Sequence, residues 1–133
     1  MTPPRVIDKK GDDIPDGEIL FRYVKPPALP NGQTMIPLGL FKDPDLSCDW
    51  SKYQKSPQRS QHVVNYGRTV IIKITVCPDI RNPKDNQGKI ITALVQKIRY
   101  MPSQKNTAHS TINGEKELVV RRAIADNAEF YQP

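Results

Sequence analysis

Two histidines occur in these 133 residues, and one of them, His109, stands in "NTAHSTING" between Asn106 and the Asn113-Gly114 pair. A histidine on or beside a strand can serve as a general base, with Asn106 orienting the ring and Ser110 or the more distant Glu117 as partners. The alternative is structural: one ring nitrogen bonded to a backbone carbonyl, and the ring edge packed where the chain turns. Joined by Arg22 as a phosphate-holding cation, His109 would suit an enzyme acting on a phosphorylated nucleotide.

The sole tryptophan lies in "LSCDWSKY". Trp50 and Tyr53 beside Lys52 and Lys55 have the types that stack on bases and hold phosphates in single-strand binders. Against that, one Trp in a small domain usually supplies buried area, with Asp49 and Ser51 shaping a turn around it. A second basic group comprises Lys97, Arg99, Lys105, Arg121 and Arg122, a possible phosphate-facing patch. No glycine-rich phosphate loop, helix-turn-helix signature or RNP-like aromatic motif accompanies it. His62, His109, Cys48 and Cys77 offer four ligand types for zinc but none of the close pairs that mark a zinc site. Neither a metal nor a cofactor is expected.

These side chains need a scaffold, and the chain punctuates one clearly. Residues 1–17 are charged and broken by Pro3, Pro4, Pro15 and Gly17, which predicts a loose arm. "EILFRYV" at 18–24 alternates in strand-favouring types. "TMIPLGLF" predicts a short strand, confined by Pro37 to an edge or a bulge. "SPQRSQHVVNYG" at 56–67 has a serine cap, a proline at the first helical position and a terminal glycine, the marks of a short helix. In "RTVIIKITV" at 68–76, Val70, Ile72, Ile74 and Val76 share one face, as on a strand with that face buried. "IITALVQKIRY" fits a strand in its C-terminal part. "AHSTI" and "ELVVRRAI" flank Asn113-Gly114, a strong hairpin signal; the rival reading, preferred here because the alanines at 123, 125 and 128 suit it, makes Asn113 the cap of a helix running through Ala128.

Thirteen prolines, near twice the ordinary share of about 5%, limit helices to a few windows. The mean hydropathy of −0.59 is lean but far from a disordered composition. No apolar run approaches the ~18 residues that cross a bilayer, and the charged N-terminus does not resemble a secretory signal. A cytoplasmic protein with reduced thiols is the expectation. The net charge of +6 is unevenly spread: residues 1–50 hold six Lys/Arg against eight Asp/Glu, and residues 51–133 hold fourteen against six. Such asymmetry suits nucleic acid or an acidic partner, as well as an ordinary solvated surface.

"LFRYV", "LSCDWSKYQKSPQ", "GRTVIIKITV" and "NTAHSTINGEKE" together resemble an uncharacterised group of small bacterial proteins with D-W-x-K-Y and N-x-A-H-x-x-I/V-x-G segments. The likeness covers roughly residues 18–120. It implies a shared fold and a shared site at Arg22, Trp50, Tyr53, Asn106 and His109, and it brings no activity, cofactor or substrate.

The reading is therefore a small mixed, strand-rich α+β protein: an N-terminal arm, 1–17, and one globular domain, 18–133, with one or two short helices. Its expected work is binding, as a protein-interaction module inside a bacterial cell, in a defence or toxin-related complex. The alternatives are a nucleic-acid-binding domain using 51–133 and the small nucleotide enzyme using Arg22 and His109.

Overall fold

A computed structural model describes residues 8–25, 36–60 and 69–131. Among these residues six strands form one wholly antiparallel sheet: β1 (Ile19–Val24), β2 (Asp45–Trp50), β3 (Val70–Thr75), β4 (Lys97–Tyr100), β5 (His109–Asn113) and β6 (Ala128–Phe130), in the order β4-β5-β2-β1-β3-β6. A four-residue helical turn, α1 (Pro78–Arg81), and a nine-residue helix, α2 (Leu118–Asp126), complete the strand-rich α+β architecture.

Residue alternation assigns the two faces. Leu20 on β1, Leu46, Cys48 and Trp50 on β2, Ile72 and Ile74 on β3, and Ile98 and Tyr100 on β4 all point to the core side. Val120 and Ile124 of α2 close over the same core. On β3 the periodicity of two is decisive: Ile72 and Ile74 are wholly buried and Val76 nearly so, whereas Val70 at the strand's start is half-buried. The opposite face carries Phe21, Tyr23, Asp49, Lys73, His109 and Arg99, which alternate with those core residues along their strands.

Four expectations need correction. Asp45–Trp50 forms a strand, where the sequence suggested a turn around a plug; the alternation of exposed Asp45 and Ser47 with buried Leu46 and Cys48 is broken in the sequence only by Asp49, itself buried. "TMIPLGLF" makes no strand in its described part. Pro37 holds an extended backbone, and Leu38–Phe41 then coil into a 3-10 turn that buries Phe41. The predicted helix at 56–67 is a 3-10 turn at Pro57–Arg59, and 61–67 lie outside the described residues. Asn113-Gly114 closes no hairpin. Gly114 donates its N–H to the Pro44 carbonyl and the chain passes into α2, whose N-cap position is Glu117, so the expected helix begins four residues later than an Asn113 cap would set it and ends at Asp126, before Ala128 opens β6. Gly114 has φ +152°, and a Cβ there would stand 2.6 Å from the buried Gln96 side chain. Backbone and amide approach each other too closely for any other residue.

The stretch read as an arm is packed where it is described. Ile14 is completely buried, and residues 11–14 run along the outer edge of β4: Gly11 N–H to Tyr100 O (2.7 Å), Tyr100 N–H to Asp12 O (2.9 Å) and Ile14 N–H to Ile98 O (2.9 Å). Asp13 pairs with Arg99 in antiparallel register. An edge strand with unpaired donors and acceptors invites foreign strands, and this strap covers it. Residues 1–7 lie outside the described residues.

Candidate functional site

The strap and the turn after β2 enclose a cleft of about 670 Å³, lined by Asp8, Asp12, Asp13, Pro15, Glu18, Trp50, Ser51, Lys52 and Lys55. Trp50 reaches its place because β2 ends there: its N–H bonds the Ala108 carbonyl, and its own carbonyl accepts from Tyr53 and Gln54, which turns the chain sharply. The indole is buried, and its Nε1–H donates to Glu18 Oε1 at 2.9 Å. Tyr53 and Tyr100 complete an aromatic cluster. Their rings stack at 5.0 Å, and each meets Trp50 edge-on at 5.5 Å, geometries that suit ring quadrupoles.

Lys52 lies across this cluster. Its Nζ stands 2.6 Å from Asp8 Oδ2, 5.2 Å from the Trp50 ring centre and 5.6 Å from that of Tyr53, within range of a cation–π attraction. Tyr53 also donates its hydroxyl to Asp8. The Lys52 ammonium, then the Tyr53 hydroxyl, hold the Asp8 carboxyl below its usual range, and Asp8 in turn raises Lys52. Asp12 and Asp13 remain at the rim, exposed, with the Arg99 Nε 4.0 Å from Asp13 Oδ1. Four carboxylates against two ammonium groups leave the cleft locally negative on a chain whose total is positive.

The remaining expected site residues separate. Arg22 follows Leu20 on the core side of β1 and gives an Nη hydrogen to the Ser47 carbonyl at 3.0 Å. Pairing of β1 with β2 covers only Leu20↔Trp50 and Phe21↔Asp49, so beyond Phe21 the guanidinium stands in for a ladder bond. His109 lies on the opposite face, so the sheet separates the two residues expected to share a phosphate. Its ring has a backbone task. The His109 N–H turns to Asn106 O (3.3 Å), and Nδ1 takes up the Met101 carbonyl at 2.8 Å, while Met101 N–H bonds His109 O. A carbonyl accepts, so Nδ1 carries the hydrogen of this bond.

Asn106 orients Asp49 rather than His109. Its Nδ2 donates to Asp49 Oδ1 (2.7 Å), its Oδ1 accepts from Ala108 N–H, and Tyr23 donates its hydroxyl to Asp49 Oδ2 at 2.9 Å. Asp49, across the ladder from His109, is buried with both oxygens engaged. Burial raises the Tyr23 hydroxyl, with the Asp49 charge adding to the shift, so it stays protonated. A phenol held so firmly in its neutral form is an anchor for the carboxylate and a poor proton donor in catalysis.

The five basic residues do not form one patch. Lys97 and Arg99 are exposed on the face of β4 away from the core, Lys105 is exposed in the loop that follows, and Arg121 and Arg122 ride on α2 across the sheet. Arg121 is spent on the Lys116 carbonyl at 2.7 Å. Lys116 is itself an unforeseen feature, a buried lysine whose Nζ donates to Pro44, Ile112 and Gly114 carbonyls at 2.8–3.1 Å. All three ammonium hydrogens are used, so it pins the β5–α2 passage. Desolvation lowers it to about 8.

Sequence reasoning pointed to Trp50, Tyr53, Lys52 and Lys55 but missed Asp8, Asp12, Asp13 and Glu18, because "DKKGDDIPDGE" reads as solvated charge. Its one signal was Ile14, an isolated apolar residue in a polar run. Among the described residues no group of three His, Cys, Asp or Glu side chains is placed to hold a metal ion, and no helix is long and apolar enough to cross a membrane. No family model, curated protein or solved structure matches this chain.

Proposed function

We propose that this protein is a small protein-binding module whose recognition surface is the acidic cleft over Trp50, and that its partner presents a lysine- or arginine-rich segment. The convergence of Asp8, Asp12, Asp13 and Glu18 on one open concavity floored by an aromatic cluster carries the reading. The overall charge of +6 opposes a basic partner only weakly. At physiological salt the screening length is about 8 Å, so carboxylates at the cleft outweigh lysines across the sheet. Lys52 over Trp50 and Tyr53 occupies the position that a visiting cation would use, and solvent screens its ion pair with Asp8, so a partner's cation can replace it at little cost.

Phosphate binding draws less support. Lys97 and Arg99 stand on the other side of the sheet from Arg121 and Arg122, and the acidic cleft would repel a phosphate.

The test is calorimetric titration of the whole chain with a lysine/arginine-rich peptide, a glutamate-rich peptide of equal length, and a single-stranded oligonucleotide. Binding of the basic peptide should weaken between about twofold and thirtyfold in Asp12→Asn/Asp13→Asn, taking 0.2–1 kcal/mol for each exposed pair. Equal affinity in that variant, or preference for the oligonucleotide, rejects the reading.

A further inference from the structure

We infer that the strap is exchangeable: residues 11–14 of one copy pair with β4 of a second copy, giving a two-fold dimer that makes the same edge contacts between chains. The inference is independent of what the cleft binds. It begins with where the strap is attached. Its contacts are to distant parts of the chain: β4 through three backbone bonds, the core through Ile14, and α1 through Arg81, which pairs with Asp16 at 3.2 Å and donates to the Ile14 carbonyl. Its only covalent link to the sheet is the short turn from Pro15 to β1.

That turn adds little stability to the closed form. Glu18 N–H reaches Pro15 O at 3.4 Å, the long end of a hydrogen bond, and Gly17 adopts φ +91°, a conformation favourable to glycine and to few others. Opening it loses that one weak bond and the bond from Gly17 N–H to Val76 O. The strap itself stays extended, since a residue preceding proline is biased away from helix and Pro15 fixes its own φ. The strap's interactions with β4, the core and Arg81 can then be remade on a partner. The balance lies between a poor turn and the entropy of association, the usual circumstance in which strands swap. Exchange also leaves the β4 edge covered at every stage but the transfer itself, and it builds each cleft from two chains, with Asp12 and Asp13 from one and Trp50 from the other.

The experiment uses full-length chains in a Cys77→Ala background, Cys48 being buried. One chain carries Asp13→Cys and the other Arg99→Cys, at positions that face each other in antiparallel register and so fall within disulfide reach. The two are mixed, unfolded, refolded together at high concentration and oxidised. The expected product is a disulfide joining the two different chains, with a dimer by light scattering whose share rises with concentration. Homodimers of like chains alone, or no covalent pair, overturn the inference. A second variant lacking Asp16 and Gly17 cannot close its strap onto its own β4 and should be dimeric at all accessible concentrations. A folded monomer overturns the inference equally.

Discussion

Truncating Ile14 to alanine distinguishes a packed strap from a loose arm. The side chain is wholly buried, and the substitution removes three carbons, worth about 2.4 kcal/mol at 0.8 kcal/mol for each buried methylene. A cavity penalty comes on top, because Leu94, Ile98 and Tyr100 are buried in the same core as the lost side chain and relax only partly. Together these give about 3–4 kcal/mol, within the usual 2–5 kcal/mol for such truncations. In a domain of this size each kcal/mol lowers the melting temperature by roughly 3–5 °C, so a fall of about 9–20 °C is expected. Urea denaturation followed by the fluorescence of Trp50, the sole tryptophan, reads the change directly, with Lys10→Ala, exposed on the same segment, as control. A midpoint for Ile14→Ala within error of that control would refute the packing described for the strap.

Three further predictions bear on other parts of the structure. Gly114→Ala should cost about 3 kcal/mol, from the strained backbone and from displacing Gln96, whose amide donates to Leu94 and Glu115 carbonyls; a double-mutant cycle with Gln96→Ala that shows no coupling contradicts this. Burial pushes the Cys48 thiol from 9.0 up to about 12, so the folded state keeps a proton that the unfolded chain releases. The stability this contributes is complete below pH 9 and lost as pH rises towards 12, at up to about 1.4 kcal/mol per pH unit. Cys48→Ala should flatten that decline, although Lys116, lowered to about 8, opposes it between pH 8 and 10.5, and an unaltered slope would count against the burial argument. His109→Ala should cost about 1–2 kcal/mol through the orphaned Met101 carbonyl while leaving basic-peptide affinity unchanged; loss of affinity without loss of stability would restore His109 as a site residue.

The parts of the fold legible in the sequence were those with a strict period. Val70, Ile72, Ile74 and Val76 announced β3, Ile19 through Val24 announced β1, and the alanines favoured α2 over a hairpin. Where one residue served two needs, the pattern blurred. Asp49 interrupts the alternation of β2 because its burial is compensated by Tyr23 and Asn106, both remote in sequence. Pro37 marked the right place for a break but not the 3-10 turn that follows. The candidate site was half legible: Trp50, Tyr53, Lys52 and Lys55 stand within one short segment, whereas the four carboxylates converge only because a strap crosses to the far edge of the sheet. Arg22 and His109 looked like partners because residue type carries no information about which face a strand presents; a difference in strand parity placed them on opposite sides.

The central claim is tested most directly by amide chemical-shift mapping of the whole chain during titration with the lysine/arginine-rich peptide. The account predicts that the largest shifts fall on Asp12, Asp13, Glu18, Ser51 and Lys52, together with the Trp50 indole N–H, whose bond to Glu18 would feel an arriving cation. Shifts centred on Lys97, Arg99 and Lys105, or none at saturating peptide, would contradict it.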